Sequence, residues 1–379
     1  MKIAVPRESD AVETRVAATP DTVKKLIGLG AAVTVEKNAG NSSRILDAEY
    51  EAAGATIAAD MASTLKDADV VLKVRRPNAA ELKAAKKDAL VIATMDPHGH
   101  EDDVKAMAAA GVTAFAMEFM PRITRAQVMD VLSSQANLAG YQAVIEAAAE
   151  YDRAMPMMMT AAGTVPAARV FVMGAGVAGL QAIATARRLG AVVTATDVRP
   201  ASKEQVESLG AKFVAVEDEE FKQAETAGGY AKQMSDEYQK KQADLVASHI
   251  AKQDIVITTA LIPGRPAPRL VTKDMLASMK PGSVLVDLAV ERGGNVEGAK
   301  PGKVATVSGA KVIGYLNMSG RIPASASALY SKNLIAFLET MIDKETKTLK
   351  PDWDDELVKA TVLTRDGKVV HPAFAPGEA

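Results

Sequence analysis

No cysteine occurs among the 379 residues, which excludes disulfides, thiolate nucleophiles and thiolate metal sites. Histidine is scarce, and His98, His100, His249 and His371 do not fall at metal-ligand spacing, so no metal is expected. Charge of one sign is absent too. With 45 basic and 47 acidic residues the net charge is −2, which gives no field for drawing in nucleic acid or an anionic membrane surface. No run approaches the roughly 18 apolar residues of a membrane-spanning helix, and Met1-Lys-Ile-Ala-Val-Pro6 leads directly into a strand. The expectation is a soluble, cytoplasmic protein with no direct membrane insertion. What the chain does have is 48% hydrophobic and 24% charged residues over a length that can build two sizeable cores.

The first third alternates apolar strands (Ile3–Val5, Val33–Glu36, Val70–Val74, Leu90–Ala93, Val112–Met117) with helical stretches such as Asp21–Leu29 and Asp102–Ala110. Such alternation predicts a parallel sheet flanked by helices. A long helix is expected over Thr124–Tyr151, with Thr124 and Gln127 at capping-box spacing. Further strands follow near Phe213–Val216, Ile255–Thr259, Val284–Leu288, Val304–Val307 and Val312–Tyr315. The helix Ser325–Asp343 is long enough to return to the first domain. The fold class read from this pattern is α/β, two Rossmann-like doubly wound parallel-sheet domains joined by long helices. The first domain is discontinuous, 1–133 with 318–379, and the second spans 134–317.

The segment Arg169-Val-Phe-Val-Met-Gly174-Ala-Gly176-Val-Ala-Gly179-Leu180 reads as a strand, a glycine turn and a helix, and Ala191–Thr196 as a second strand ending in Asp197. Gly174 permits the tight turn, Gly176 lets the backbone approach a diphosphate held at the helix N-terminus, and Gly179 allows close helix–strand packing. Asp197 lies near the roughly 20-residue offset at which an acid accepts hydrogen bonds from the adenosine ribose, where its charge repels a 2′-phosphate. NAD(H) is therefore expected in preference to NADP(H). Arg199 argues the other way, since a guanidinium there could attract a 2′-phosphate.

Two segments exceed what a nucleotide fold needs. Glu217–Gln242 is a polar excursion with Gly228-Gly229-Tyr230 near its middle, suited either to a mobile flap or to a solvated helical hairpin. The methionine run in Met155-Pro-Met-Met-Met159 is expected to be adaptable core filler. On the predicted long helix, Gln127, Asp130 and Ser134 share one face, with Ser133 adjacent and Arg122 just before the start. An amide, carboxylate and hydroxyl stripe suits a wet cleft between domains, and equally the solvent face of an ordinary helix. Arg15 and Lys73 are candidate carboxylate anchors, and His98 and His100 candidate general acids, each with the alternative of a plain surface residue.

Four stretches carry a resemblance: RITRAQVMDVLSSQANLAGY at Arg122–Tyr141, PMMMTAAGTVP at Pro156–Pro166, ETAGGYA at Glu225–Ala231 and TTALIPG at Thr258–Gly264. They resemble the NAD(H)-binding component, domain I, of proton-translocating nicotinamide nucleotide transhydrogenases, over essentially the whole chain. The fold is shared with alanine dehydrogenase, while the RAQxMDxLSSQ segment and the GGY flap are specific to the transhydrogenases. The resemblance implies hydride exchange between NAD(H) on this chain and NADP(H) on a partner component, coupled to proton movement through membrane-spanning subunits. It implies a homodimer, held peripherally at the membrane by those partners. It also implies that Arg122, Gln127, Asp130 and Ser133 surround the nicotinamide ribose and carboxamide, and that Tyr230 closes over the nucleotide. Val177, Gly229, Gln242 and Leu261 would line the pocket, with Ser134, Val198 and Arg199 among the cofactor-binding residues.

Chemistry favours the same choice. Reducing an imino or keto acid requires a proton donor and a carboxylate anchor, whereas transfer between two nicotinamide C4 atoms requires neither. The dehydrogenase alternative rests on Arg15 and Lys73, which match that family's substrate anchors. Against it, the loop MDPHGHEDD at Met95–Asp103 matches neither family cleanly, and Glu291 stands where the dehydrogenases have Asp.

Overall fold

The computed structural model describes residues 1–222, 234–262 and 264–375. It resolves into two compact units, Met1–Gln135 with Ser319–Ala379, and Ala136–Met318. In the first unit, β1 (Lys2–Val5), β2 (Ala32–Glu36), β3 (Thr56–Ala58), β4 (Val70–Arg75), β5 (Leu90–Thr94) and β6 (Thr113–Ala116) lie in the spatial order β3-β2-β1-β4-β5-β6. All of these neighbours pair in parallel. A parallel sheet is covered on both faces, so its strands must be apolar on both, and β4 is buried along all but its last residue. Lys73 is the exception in that strand, a cation in the core. Helices pack on each face over separate clusters, one around Val33, Phe115 and Phe337, the other around Val91, Met95 and Val104.

The second unit begins within a helix, and its first strands are a hairpin, β7 (Met158–Thr160) and β8 (Gly163–Val165), which forms its own two-stranded sheet. Its main sheet comprises β9 (Arg169–Met173), β10 (Val192–Thr196), β11 (Lys212–Phe213), β12 (Ile255–Thr258), β13 (Val284–Asp287), β14 (Val304–Val307) and β15 (Ala310–Ile313). The order is β11-β10-β9-β12-β13-β15-β14, parallel except for β14 against β15. The chain then returns to the first unit, where β16 (Val362–Arg365) pairs antiparallel with β6 and β17 (Lys368–Val369) with β16.

Three expectations change. The single helix over Thr124–Tyr151 is broken into a 3-10 helix, Thr124–Met129, and α1, Val131–Glu150, with Asp130 extended between them at ψ 91. Asp130 causes the break. Its carboxylate accepts the Ser133 N–H at 2.8 Å and the Ser133 hydroxyl at 2.5 Å, which is how a helix start is capped. The Thr124–Gln127 capping box is not formed, and Gln127, Asp130 and Ser134 therefore share no helical face. Of the methionine run only Met155 is core filler: it is buried in the second unit's core, whereas Met157, Met158 and Met159 are exposed at and just before the β7–β8 hairpin, Met159 at 79%. The last strand of the second unit lies at Ala310–Ile313 and runs antiparallel to its edge neighbour, because a tight Ser308-Gly309 turn, both residues at positive φ, joins them as a hairpin.

Candidate dinucleotide site

In the second unit the strand order reverses at β9, which has β10 on one side and β12 on the other. A doubly wound sheet has its crevice at the carboxyl ends of the strands at such a point. The turn after β9 lies there. Gly174 has φ +104, and a Cβ on it would stand 2.4 Å from the Thr259 hydroxyl oxygen. A Cβ on Gly179 would stand 1.8 Å from the Gly174 carbonyl oxygen, so helix α2 (Val177–Arg188) can lie this close only on glycine. Gly176 is different, because a Cβ there meets nothing within 4 Å. It is the N-cap of α2 and provides no side-chain bond to the first turn. Open space above uncapped N–H groups at the positive end of a helix suits a diphosphate.

Asp197 follows β10. Its carboxylate accepts the Ala175 N–H at 2.7 Å, the Arg199 N–H at 2.9 Å, and Arg199 Nε and Nη2 at 3.0 and 3.1 Å. Burial alone would raise this carboxyl, but the Arg199 side chain and the two amides hold it below the ordinary aspartate value. Arg199 is thus clasped on the acid itself. Val177, Val198 and Leu261 are exposed, at 40%, 57% and 52%, and offer apolar contact for planar rings. Gln242, on helix α3 (Asp236–Ile250), has its amide engaged: its oxygen accepts the Val216 N–H at 2.9 Å and its nitrogen donates to the Thr196 hydroxyl at 3.1 Å. It braces the ends of β10 and the following strand. Gly228, Gly229 and Tyr230 lie outside the described residues.

The remaining expected site residues belong to the first unit. Arg122 and Gln127 are exposed, with no hydrogen bond or ion pair from either side chain to a described residue. The Asp130 and Ser133 side chains bond each other. Ser134 donates to Asn333 at 2.7 Å, on helix α4 (Pro323–Glu339), and Asn333 donates to the Val128 carbonyl at 2.8 Å. The stripe is thus split between a braced part and a free part.

The candidate anchors are occupied. Arg15 binds Glu13 through Nε and Nη2, both at 2.7 Å, and Gln135 through Nη1 at 2.8 Å. Although burial opposes it, Arg15 and Arg75 hold the Glu13 carboxyl well down, at about 2. Lys73 lies between Glu81 at 2.7 Å and Glu8 at 3.2 Å. His98 packs on Phe374 and Phe119, with ring centroids 4.9 and 6.1 Å away. His100 Nδ1 stands 3.3 Å from the His98 carbonyl. Glu291 accepts the Asn317 N–H at 2.6 Å. Glu13 lies two residues from Arg15, a local pairing that sequence reasoning misses, whereas Glu8 and Glu81 are not legible as partners of Lys73, since a loop and a helix bring them to the strand from positions with no characteristic spacing. Glu118 is equally hidden: it accepts the Met95 and Asp96 N–H groups and fixes the histidine loop, while burial raises its carboxyl.

Two crossed-over parallel sheets with a glycine turn at the reversal define a doubly wound, nucleotide-binding α/β protein. Comparison with known proteins narrows this. The alanine dehydrogenase/PNT N-terminal and C-terminal domain families match residues 4–139 and 143–372. An NAD(P) transhydrogenase alpha-subunit chain of Rhodospirillum rubrum is 56% identical, over 99% of each chain. The crystal structure of a transhydrogenase from Sinorhizobium meliloti is 66% identical with a TM-score of 0.89, covering 98% of this chain and 100% of that one. An alanine dehydrogenase of Halomonas elongata is 32% identical, over 99% of this chain and 96% of that one. The chain belongs to the alanine dehydrogenase/PNT family, and within it is more similar to the transhydrogenase alpha subunits than to the dehydrogenases.

Proposed function

We propose that this chain is the NAD(H)-binding component of a proton-translocating transhydrogenase, exchanging hydride directly between its NAD(H) and NADP(H) held by a partner component. The observation that carries the reading is the open, uncapped turn at Gly176 beside the charged Asp197, together in one crevice. The backbone of Gly174–Ala178 would hold the diphosphate and Asp197 the adenosine ribose, with Val177, Val198 and Leu261 against the rings. Bound there, NAD(H) supplies or receives the hydride at its nicotinamide. Arg15 and Lys73 support this reading over amino-acid oxidation, because both cations are already matched by internal carboxylates and neither is left for a substrate carboxylate.

The roles assigned to protein groups are those of positioning. Gln127, with its amide free, orients the nicotinamides and carries no proton, with Arg122 as its charged neighbour. Asp130 and Ser133 fix the junction that presents Gln127, and Tyr230 with Gly229 closes over the nucleotide. Among the described residues no helix is long and apolar enough to cross a membrane, so proton movement is assigned to membrane-spanning partner subunits that hold this chain peripherally at the membrane. The exposed methionines of the β7–β8 hairpin support a homodimer, since an apolar two-stranded arm is stable against a second surface.

Mixing the chain with an NADP-binding component and following one turnover of hydride transfer tests the proposal, with alanine and NAD as the contrasting assay. Transfer without alanine oxidation is the expected result; alanine oxidation alone sinks it. In the same experiment Gln127→Asn withdraws the amide by about one methylene, and misplacement of roughly 1 Å costs on the order of 100-fold in rate. NADH affinity, titrated separately, should change far less. A wild-type turnover rate with sharply weakened binding would make Gln127 an ordinary binding residue.

Cofactor choice is tested at Asp197. Asp197→Asn keeps the shape but loses the charge, and NADH binding is expected to weaken by about 1–3 kcal/mol, the worth of a hydrogen bond to a charged group. If the wild-type chain binds NADPH as tightly as NADH, the assignment of NAD(H) fails.

A further inference from the structure

The crevice has a second wall in the chain that leaves the carboxyl end of β12, Ala260–Ile262 with the exposed Leu261 and Ile262, followed by residues 264–271. Such a loop is held in one place only if its peptide groups are bonded to something fixed. Asn295 is wholly buried and does this. Its Oδ1 accepts the Ala260 N–H at 3.1 Å, and its Nδ2 donates to the Ala260 carbonyl at 2.9 Å and to the Pro268 carbonyl at 2.8 Å. Its own carbonyl accepts the Leu270 and Val271 N–H groups at 2.8 and 3.0 Å. One residue thus grips the segment near both ends.

Asn295 is itself fixed. Asp287, wholly buried at the end of β13, accepts the Ala289 N–H and the Val296 N–H, each at 2.9 Å. Gly294 permits this closeness, since at φ +79 a Cβ on it would stand 2.6 Å from Asp287 Oδ2. On the other side Ala260 follows Thr259, whose hydroxyl donates to the Gly174 carbonyl at 3.1 Å. A continuous set of bonds therefore runs from β13 through Asp287, Asn295 and Ala260 to the glycine turn.

We propose that Asn295 is a positioning residue for dinucleotide binding, setting Ala260 and Leu261 against the turn at Gly174–Gly179; this rests on the dinucleotide reading above. Pairing with both the N–H and the C=O of one residue requires a donor and an acceptor side by side, which a carboxamide provides and which neither Asp nor an aliphatic residue does. Asn295→Asp would place a carboxylate against two carbonyl oxygens, and Asn295→Ala would remove the partner of three part-buried peptide groups.

The test compares the full-length wild-type chain with Asn295→Ala and Asn295→Asp, titrating NADH and recording the thermal midpoint of each. Wild-type binding of NADH is the control on the dinucleotide reading, and its absence would overturn that reading independently of Asn295. The expected result is a Kd for the folded protein raised at least tenfold by either substitution, and more by Asp. A lowered midpoint with the Kd of the folded fraction unchanged would show a merely structural residue and overturn the proposal. If neither variant folds, hydrogen exchange of the Ala260 amide in the wild-type chain without NADH decides. Protection comparable to the β12 amides is expected, and exchange at the rate of a free loop overturns it.

Discussion

Gly179→Ala is expected to abolish measurable NADH binding and to lower the melting temperature of the second unit. The added methyl would lie 1.8 Å from the Gly174 carbonyl oxygen, and what it meets is backbone, which no rotamer change can clear. Helix α2 must therefore retreat from the turn it follows, which removes its N–H groups from the proposed diphosphate position. Overpacking of this kind typically costs about 1–3 kcal/mol, and a backbone clash belongs at the upper end. Gly176→Ala separates the two effects, because its Cβ meets nothing within 4 Å. That protein should melt with the wild type and still lose affinity, the methyl standing in the open space proposed for the diphosphate. NADH titration and thermal unfolding of both variants check this. Unaltered binding by Gly179→Ala would mean that the turn is not the phosphate site.

The largest effect on stability is expected at Lys73→Met. The ammonium is 1% exposed and lies between Glu8 and Glu81, whose side chains are 5% and 3% exposed. Burial alone would depress the lysine, but the two carboxylates raise it above its ordinary value. Removing the cation leaves two buried carboxylates facing each other, and breaking a buried ion pair from one side costs about 3–5 kcal/mol. The sign of the pH effect follows from Glu8, whose carboxyl is already raised, chiefly by burial. A raised acid contributes most to stability below its unfolded value of 4.5 and least above its folded one. The deficit of the variant should therefore be full at neutral pH and shrink as the pH falls toward 4.5. Urea unfolding of both proteins at neutral and acid pH measures it, and a deficit that grows in acid would contradict the argument.

What is legible in the sequence is whatever local chemistry fixes alone. Gly174 and Gly179 have separate steric demands, and each is readable from its place between a strand and a helix. Asp130 misleads because the same Asp-x-x-Ser spacing serves a polar stripe and a helix cap, and the choice is made by whether the helix before it continues. Met157, Met158 and Met159 mislead, although Met155 does not, because hydrophobicity says that a residue seeks cover and not where the cover is. Lys73 is visible as a charge, but its partners come from a loop and a helix that only the folded unit brings beside the strand, whereas Arg15 and Glu13 pair two residues apart. Asn295 leaves no signal at all, since a buried amide bonded to peptide groups has no sequence partner to find.

The first unit takes its sheet from both ends of the chain, with β6 supplied early and β16 late. On the ribosome these two strands are made on either side of the entire second unit, Ala136–Met318. The edge of β6 must therefore wait unpaired while that unit emerges and folds, and the nascent protein holds a finished nucleotide-binding half before its first half can close. Order of synthesis and order of folding are opposed in this molecule, and the last strands translated complete the first sheet begun.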